Sequence, residues 1–187
     1  MIYNIINIAD SEKNKEDAAR ILYSAFRGKG KDAWPTLDSA REEIAECIAS
    51  PNICLGITLD DRLVGWGGLR PMYETTWELH PLVIDPDYQG NGLGRLLLSK
   101  IESTATTNRI IGIMLGTDDE TLSTSLSMTD IDESNIFQEI KNIINIKNHP
   151  FEFYKKCGYI IVGIVPNANG YRKPDIWMWK NLEKKSG

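Results

Sequence analysis

The segment Pro86-Asp87-Tyr88-Gln89-Gly90-Asn91-Gly92-Leu93-Gly94-Arg95 joins a short apolar run, Leu82-Val83-Ile84, to a stretch in which Leu93, Leu96, Leu97 and Ile101 recur at helical spacing. A glycine-rich turn from strand into helix leaves the first backbone N–H groups of the helix bare. Those donors have no intrahelical partner and lie at the positive end of the macrodipole, so they suit a pyrophosphate. Spacing narrows the ligand. No Lys followed by Ser or Thr comes after these glycines, which rules out a Walker A loop, and Arg95 stands where a G-x-G-x-x-G dinucleotide fingerprint needs its third glycine. A tight bend without a ligand remains the other reading of the loop at this point. His80 and His149 are the only histidines, which excludes a His-rich metal centre and leaves carboxylates as the main source of a general base. Cys47, Cys54 and Cys157 are odd in number and show no C-x-x-C spacing, so neither a disulfide framework nor a zinc site is expected.

The elements that must position this loop follow from periodicity. Met1 to Ile8 reads as a first strand, without the basic region or cleavage site of a signal peptide. Asn14 to Arg27 places Ala18, Ile21, Leu22, Ala25 and Phe26 on one helical face, with Gly28-Lys29-Gly30-Lys31 as its break. A second helix is predicted from Ser39-Ala40-Arg41-Glu42, which has capping-box spacing, carrying Ile44 and Ile48. Ile53–Leu59 and Arg62–Leu69 flank Asp60-Asp61 as a hairpin, and a strand from Thr76 to Ile84 leads into the glycine loop. Beyond the loop come a helix, a strand Arg109–Leu115, and an insert from Gly116 to Asn148. The insert's Ile136, Phe137, Ile140, Ile143 and Ile144 suggest another helix. A helix from His149-Pro150 to Gly158 and strands Tyr159–Val165 and Asp175–Lys180 complete the chain. This order predicts an α/β (α+β) domain spanning 1–187, a mixed sheet with helices on both faces.

Composition sets the class. The chain has 187 residues, 42% hydrophobic and 25% charged, which is globular rather than disordered. No apolar run reaches the ~18 residues of a membrane span. A cytoplasmic protein with no membrane partner is expected. The net charge of −5 argues against nucleic acid, which needs a basic face, and suits a cationic small substrate.

Gln89-x-x-Gly92-x-Gly94 resembles the Q/R-x-x-G-x-G/A coenzyme A loop of the GNAT superfamily of N-acetyltransferases, and Phe153-Tyr154-Lys155-Lys156-Cys157-Gly158-Tyr159 resembles that superfamily's later F-Y-x-x-x-G-F/Y segment. The likeness narrows further from Trp77 to the C-terminus. Trp77-Glu78-Leu79-His80-Pro81-Leu82-Val83, Leu115-Gly116-Thr117-Asp118-Asp119, His149-Pro150, Pro166 to Gly170 and Lys173 to Met178 are similar to the aminoglycoside 6'-N-acetyltransferases of roughly 180 residues. The resemblance implies a GNAT fold whose sheet splays between its two middle strands. It also implies acetyl-CoA as co-substrate, no metal, an aminoglycoside as acceptor, a role in antibiotic resistance, and a homodimer. Trp177 and Trp179 are the apolar residues that such a dimer could use.

On this resemblance each site residue takes a role. Leu82 offers its N–H to the thioester carbonyl, Val83 and Ile84 hold the pantetheine arm, and Gln89, Gly90, Asn91, Gly92, Leu93, Gly94 and Arg95 hold the pyrophosphate. Glu78 binds the reacting amine and helps remove its proton, because an amine must be neutral to attack. Pairing with an arginine is the alternative for Glu78. Tyr154 is the candidate acid for the departing thiolate and a coenzyme contact, with aromatic packing as its alternative. Asp118, Asp119 and Asp175 are expected to attract a ligand with several ammonium groups, although each alone could be a turn or cap residue. Trp34, Tyr73 and Trp77 are candidate walls of a sugar pocket or else core, and His80 and His149 read as structural. Acetyl transfer is expected by direct attack in a ternary complex. A GNAT enzyme for another small amine, or a non-catalytic acetyl-CoA-binding module, are the rival readings.

Overall fold

In the computed structural model, which describes residues 3–27 and 33–183, β1 (Tyr3–Asn7) pairs antiparallel with β2 (Ile53–Leu59). Asp60 and Asp61 both take positive φ, 47° and 65°. That is the geometry of a two-residue hairpin turn. They connect β2 to β3 (Arg62–Pro71), and β3 pairs antiparallel with β4 (Thr76–Ile84). Between β1 and β2 the chain forms α1 (Glu12–Phe26), capped by the Ser11 hydroxyl, which accepts from the Asn14 N–H at 3.1 Å, and α2 (Leu37–Cys47). The α2 cap differs from the expected one. Thr36 is the N-cap and Ser39 the return partner of the capping box, so the helix starts two residues before Ser39. The break expected at Gly28 to Lys31 lies outside the described residues.

The residues described fall into two compact units, one running to Ile113 and rejoined at Leu182, the other Met114–Asn181. In the first, strand alternation places helices on both faces of the antiparallel strands. Trp66 is fully buried and its Nε1–H donates to the Ala18 carbonyl of α1 at 2.9 Å, while a Cβ on Gly68 would meet Cys47 of α2. Gly67, between them, faces Ile101 of α3 (Leu93–Thr107) on the other side. Trp66, Leu63, Val83, Ile8, Leu22 and Ile44 form the centre of the α1–α2 core. At ~25 cal/mol per Å² of apolar surface, such side chains each contribute roughly 1.5–3 kcal/mol.

Pro81 lacks an N–H, and the ladder accommodates it with an irregularity. The register runs Gly67↔Leu82 but Leu69↔Leu79, so Gly68 faces an extra residue on β4. Alternation survives the bulge: Leu79, Pro81 and Val83 are buried while Glu78, His80, Leu82 and Ile84 are only partly so.

In the second unit the strands lie in the order β5 (Gly112–Asp118), β7 (Asp175–Asn181), β6 (Ile160–Val165), with β6 and β7 antiparallel. β5 begins three residues later than Arg109, because the α3 terminus consumes them. Arg109 takes φ 62° and the Ile110 N–H returns to the Ala105 carbonyl at 3.0 Å. The insert's helix is also shorter than its apolar spacing suggested. α4 (Ile136–Lys141) buries no residue, Phe137 is 82% exposed, and Ile143 and Ile144 lie beyond its end. α5 (Phe151–Lys156) follows Pro150.

Candidate active site

The glycine loop has the backbone a phosphate cradle needs. Gly90 and Gly92 both take φ +79°, and a Cβ at either would meet nothing within 4 Å. Their bareness therefore serves backbone conformation and access, not packing against the rest of the protein. Gly92 is the N-cap of α3, and among the described residues no side chain caps that helix. Its first N–H groups lie at the positive end of a 15-residue helix. Gln89 and Asn91 turn inward to fix the loop: Gln89 Nε2 donates to the Ile84 carbonyl at 3.0 Å, and Asn91 Nδ2 to the Tyr88 and Gln89 carbonyls at 3.3 Å. Arg95 is exposed. A pyrophosphate fits this arrangement. Upstream, Val83 is buried and Leu82 and Ile84 are half-buried, opposite Trp66, Gly67 and Gly65 respectively.

On β4, Glu78 and His80 share the half-buried face. Glu78 is not alone: the Arg70 Nε–H donates to its Oε2 at 2.7 Å. His80 Nε2 lies 3.5 Å from Glu43 Oε1. Glu43 also accepts from the Cys47 thiol at 3.3 Å and from Trp34 Nε1 at 3.1 Å. Burial works against its charge, but the His80, Cys47 and Trp34 contacts outweigh burial and hold its carboxyl below the usual range. Trp34 is half-buried, edge-on to Phe26 with ring centroids 4.9 Å apart and 6.0 Å from His80. Tyr73 is 62% exposed, and Trp77 is half-buried opposite Pro71. Burial, with Glu43 beside it, pushes the Cys47 thiol far up, and burial pushes Cys54 up to about 12. Neither can serve as a thiolate nucleophile.

In the second unit the acidic residues separate. Asp119 is fully buried, and its carboxylate accepts from the Ser123 N–H at 2.6 Å, the Thr124 N–H and hydroxyl at 2.8 Å each, and the Ser127 hydroxyl at 2.5 Å. With its oxygens engaged by the following turn it pins that turn. Burial works against its charge, but the donors are neutral and hold its pKa down, so its negative charge stays in place. Asp118 is exposed and accepts from Asn169 Nδ2. Asp175 is half-buried, accepts from Trp177 Nε1 at 2.6 Å, and fills the space beside Gly116, where a Cβ would lie 2.9 Å from its carboxylate oxygens. Tyr154 is half-buried between Phe153 and Tyr159, with centroids 5.0 and 5.8 Å away, and burial, with a smaller push from Cys157, raises its phenol pKa. The phenol stays protonated as a donor. His149 is buried, with Nε2 3.0 Å from the Asp118 carbonyl and Nδ1 accepting from the Phe151 N–H at 3.2 Å.

Arg70 and Glu43 went unread in the sequence. Arg70 faces Glu78 because five residues, 72–76, separate Pro71 from its partner Trp77, a loop length that the residue types there do not dictate. Glu43 carried no signal among the other glutamates of α2.

Residues 16–125 match the acetyltransferase (GNAT) family. The chain belongs to that family. Two solved structures resemble the GNAT chain over 100% of its length and 100% of their own: an aminoglycoside 6'-N-acetyltransferase complexed with coenzyme A, 36% identical with TM-score 0.89, and the aminoglycoside 6'-N-acetyltransferase from Enterococcus faecium, 36% identical with TM-score 0.88. Their fold is the one expected. Among curated proteins, the N-alpha-acetyltransferase RimI of Mycobacterium tuberculosis (strain ATCC 25618 / H37Rv) is 37% identical over 97 residues, 50% of this chain and 54% of RimI. The chain thus spans about half the length of that relative.

Proposed function

We propose that this GNAT protein is an aminoglycoside 6'-N-acetyltransferase, moving the acetyl group of acetyl-CoA to the 6'-amine by direct attack in a ternary complex. The observation that carries the reading is the full-length likeness to two such enzymes at 36% identity. When bound, acetyl-CoA would supply the thioester whose acetyl group passes to the amine, leaving the coenzyme as its thiol. The bare N–H groups of α3 and the Gly90–Gly92 backbone hold the pyrophosphate, with Val83 and Ile84 along the pantetheine arm. Glu78 attracts the substrate ammonium and accepts the proton it must lose before its lone pair can attack the acyl carbon. The Leu82 N–H donates to the acyl oxygen as that oxygen gains charge. Tyr154 donates the proton that the departing sulfur takes as the C–S bond breaks. Direct attack agrees with the state of Cys47 and Cys54, which are buried thiols rather than nucleophiles. Asp118 and Asp175 supply negative potential for the remaining ammonium groups, and Trp34, Tyr73 and Trp77 the apolar walls.

In this reading residues 1–187 act as one catalytic domain, in the cytoplasm, as a homodimer, and expression in a susceptible bacterium confers aminoglycoside resistance. Thiol release from acetyl-CoA with kanamycin or tobramycin tests the assignment, with spermidine and an N-terminal alanine peptide as comparators. The RimI likeness favours the peptide as the second reading. Turnover of the peptide or spermidine alone would replace the proposed acceptor, and tight coenzyme binding without any release would point to a sensing module. Glu78→Gln should cut kcat/KM for kanamycin by about 10²-fold, as for loss of a positioned base. A wild-type pH–rate profile in that variant would remove Glu78 from the chemistry.

A further inference from the structure

Two features of the β3–β4 ladder fix which side chain faces Glu78. The connection after Pro71 brings that residue opposite Trp77 and so sets Arg70 opposite Glu78, whereas continuing the Gly67↔Leu82 register past the bulge would have set Arg70 opposite Leu79. The bulge thus re-aims β4. Directly opposed side chains on one face of an antiparallel pair meet, and the Arg70 Nε–H donates to Glu78 Oε2 at 2.7 Å. Among the described residues this is the one hydrogen bond or ion pair of the Glu78 carboxylate, and it takes a single oxygen. The Glu78 side chain is 26% exposed, so an amine from solution can reach it while Arg70 stays in place. Burial works against the charge of Arg70, but Glu78 and then Glu43 more than offset it. The donor therefore remains a cation.

We propose that Arg70 is a positioning residue: by holding Glu78 Oε2 it aims the carboxylate so that Oε1 is the oxygen that meets the reacting amine. The proposal rests on Glu78 as the amine-binding carboxylate. A glutamate side chain turns about several torsions, and an unheld carboxylate spends part of its time in rotamers that point elsewhere. A fixed N–H···O contact removes much of that freedom before the amine arrives, so less orientational entropy is lost on the way to the transition state. Guanidinium and amine then use different oxygens, and neither has to displace the other. In this role Arg70 acts on acyl transfer only through Glu78.

Single-turnover thiol release by the full chain, with enzyme in excess over acetyl-CoA and kanamycin saturating, reads the acyl-transfer step apart from binding and product release. Arg70→Met keeps an apolar stem and removes the donor. It should slow that step about fivefold, the size of one part-exposed ion pair, with the dissociation constant of coenzyme A within about twofold of the parent. In a Glu78→Gln background the same change should alter the rate by less than about twofold, which separates aiming Glu78 from supporting the fold. A parental or faster rate in Arg70→Met, or an equal loss in the two backgrounds, overturns the proposal while leaving Glu78 in its role if Glu78→Gln is still slow. A wild-type rate in Glu78→Gln would instead remove the reading on which the proposal rests. Should Arg70→Met fail to fold, the Arg70 Nε–H resonance of the wild-type chain serves: it should remain protected from exchange with water when kanamycin and coenzyme A are both bound. Loss of that protection overturns the proposal.

Discussion

His149 has a protonation state dictated by its neighbours. A backbone N–H can only donate, so Nδ1 must accept from Phe151 and the ring proton must sit on Nε2, facing the Asp118 carbonyl. A second proton on Nδ1 would set donor against donor. Burial lowers the pKa of this imidazole, with the Asp118 carbonyl and the charges of Asp119 and Asp118 pulling the other way. The unfolded chain therefore takes up a proton at higher pH than the folded one. Between the ordinary histidine value of about 6.5 and the lower folded value, the unfolded state holds more protons, and stability falls as pH falls through that window. Chemical denaturation of the wild type should show that loss on acidification below about 6.5. His149→Gln, less stable at neutral pH, should be flat over the same interval, and an equal slope in both would remove His149 as the cause. Asp118 and Asp119 show where sequence reading stopped at this scale. Both were legible as carboxylates of one loop. Which of them turns inward depends on the hydroxyls of Thr124 and Ser127, five and eight residues from Asp119, and no spacing rule encodes that choice.

The elements were legible wherever backbone chemistry is local. The Asp60-Asp61 hairpin, the limits of β2 and β4, and the irregularity forced by Pro81 all follow from the residues at those positions. What the sequence concealed is the response of the partner strand. The Gly67-Gly68 pair on β3 lets the bulge close: a Cβ on Gly68 would lie 2.5 Å from the His80 carbonyl oxygen and 3.0 Å from Cys47 Sγ. Because the nearest atom is backbone of the strand that carries Glu78, it cannot move cheaply. Gly68→Ala should cost about 1–3 kcal/mol by overpacking and reduce turnover with it. Gly163 on β6 is the control, since a Cβ there meets nothing within 4 Å, and Gly163→Ala should lie within about 0.5 kcal/mol of the parent. Equal thermal shifts for the two would exclude the contact as the cause. The α2 cap gives a separate measurement at this scale. Thr36 and Ser39 close the box that starts the helix bearing Glu43 and Cys47, so Thr36→Ala should lose about 1 kcal/mol in urea melts. The expected Ser39 cap failed because Ser39 satisfies capping-box spacing as the third residue as well as the first.

At the scale of the molecule, charge gives a prediction independent of any one contact. With 26 acidic and 21 basic side chains, the chain repels anions and attracts cations at long range. The two substrates of the proposed reaction then respond to salt in opposite directions: the coenzyme is anionic and an aminoglycoside is polycationic. The screening length falls from ~30 Å at ~0.01 M salt to ~10 Å at ~0.1 M, so distant charges drop out first and close pairs, such as the one proposed between Glu78 and the reacting amine, persist. Raising salt over that range should raise KM for kanamycin several-fold, leave kcat nearly constant, and hold or lower KM for acetyl-CoA. A monoamine should show a much smaller rise than kanamycin, because only one charge enters the long-range sum. The magnitude also depends on which carboxylates remain charged. Asp118 is exposed, so Asp118→Asn should flatten the kanamycin salt dependence. If kanamycin KM is indifferent to ionic strength while Glu78→Gln remains impaired, recognition is confined to short contacts and the negative balance of the chain has no part in choosing its substrate.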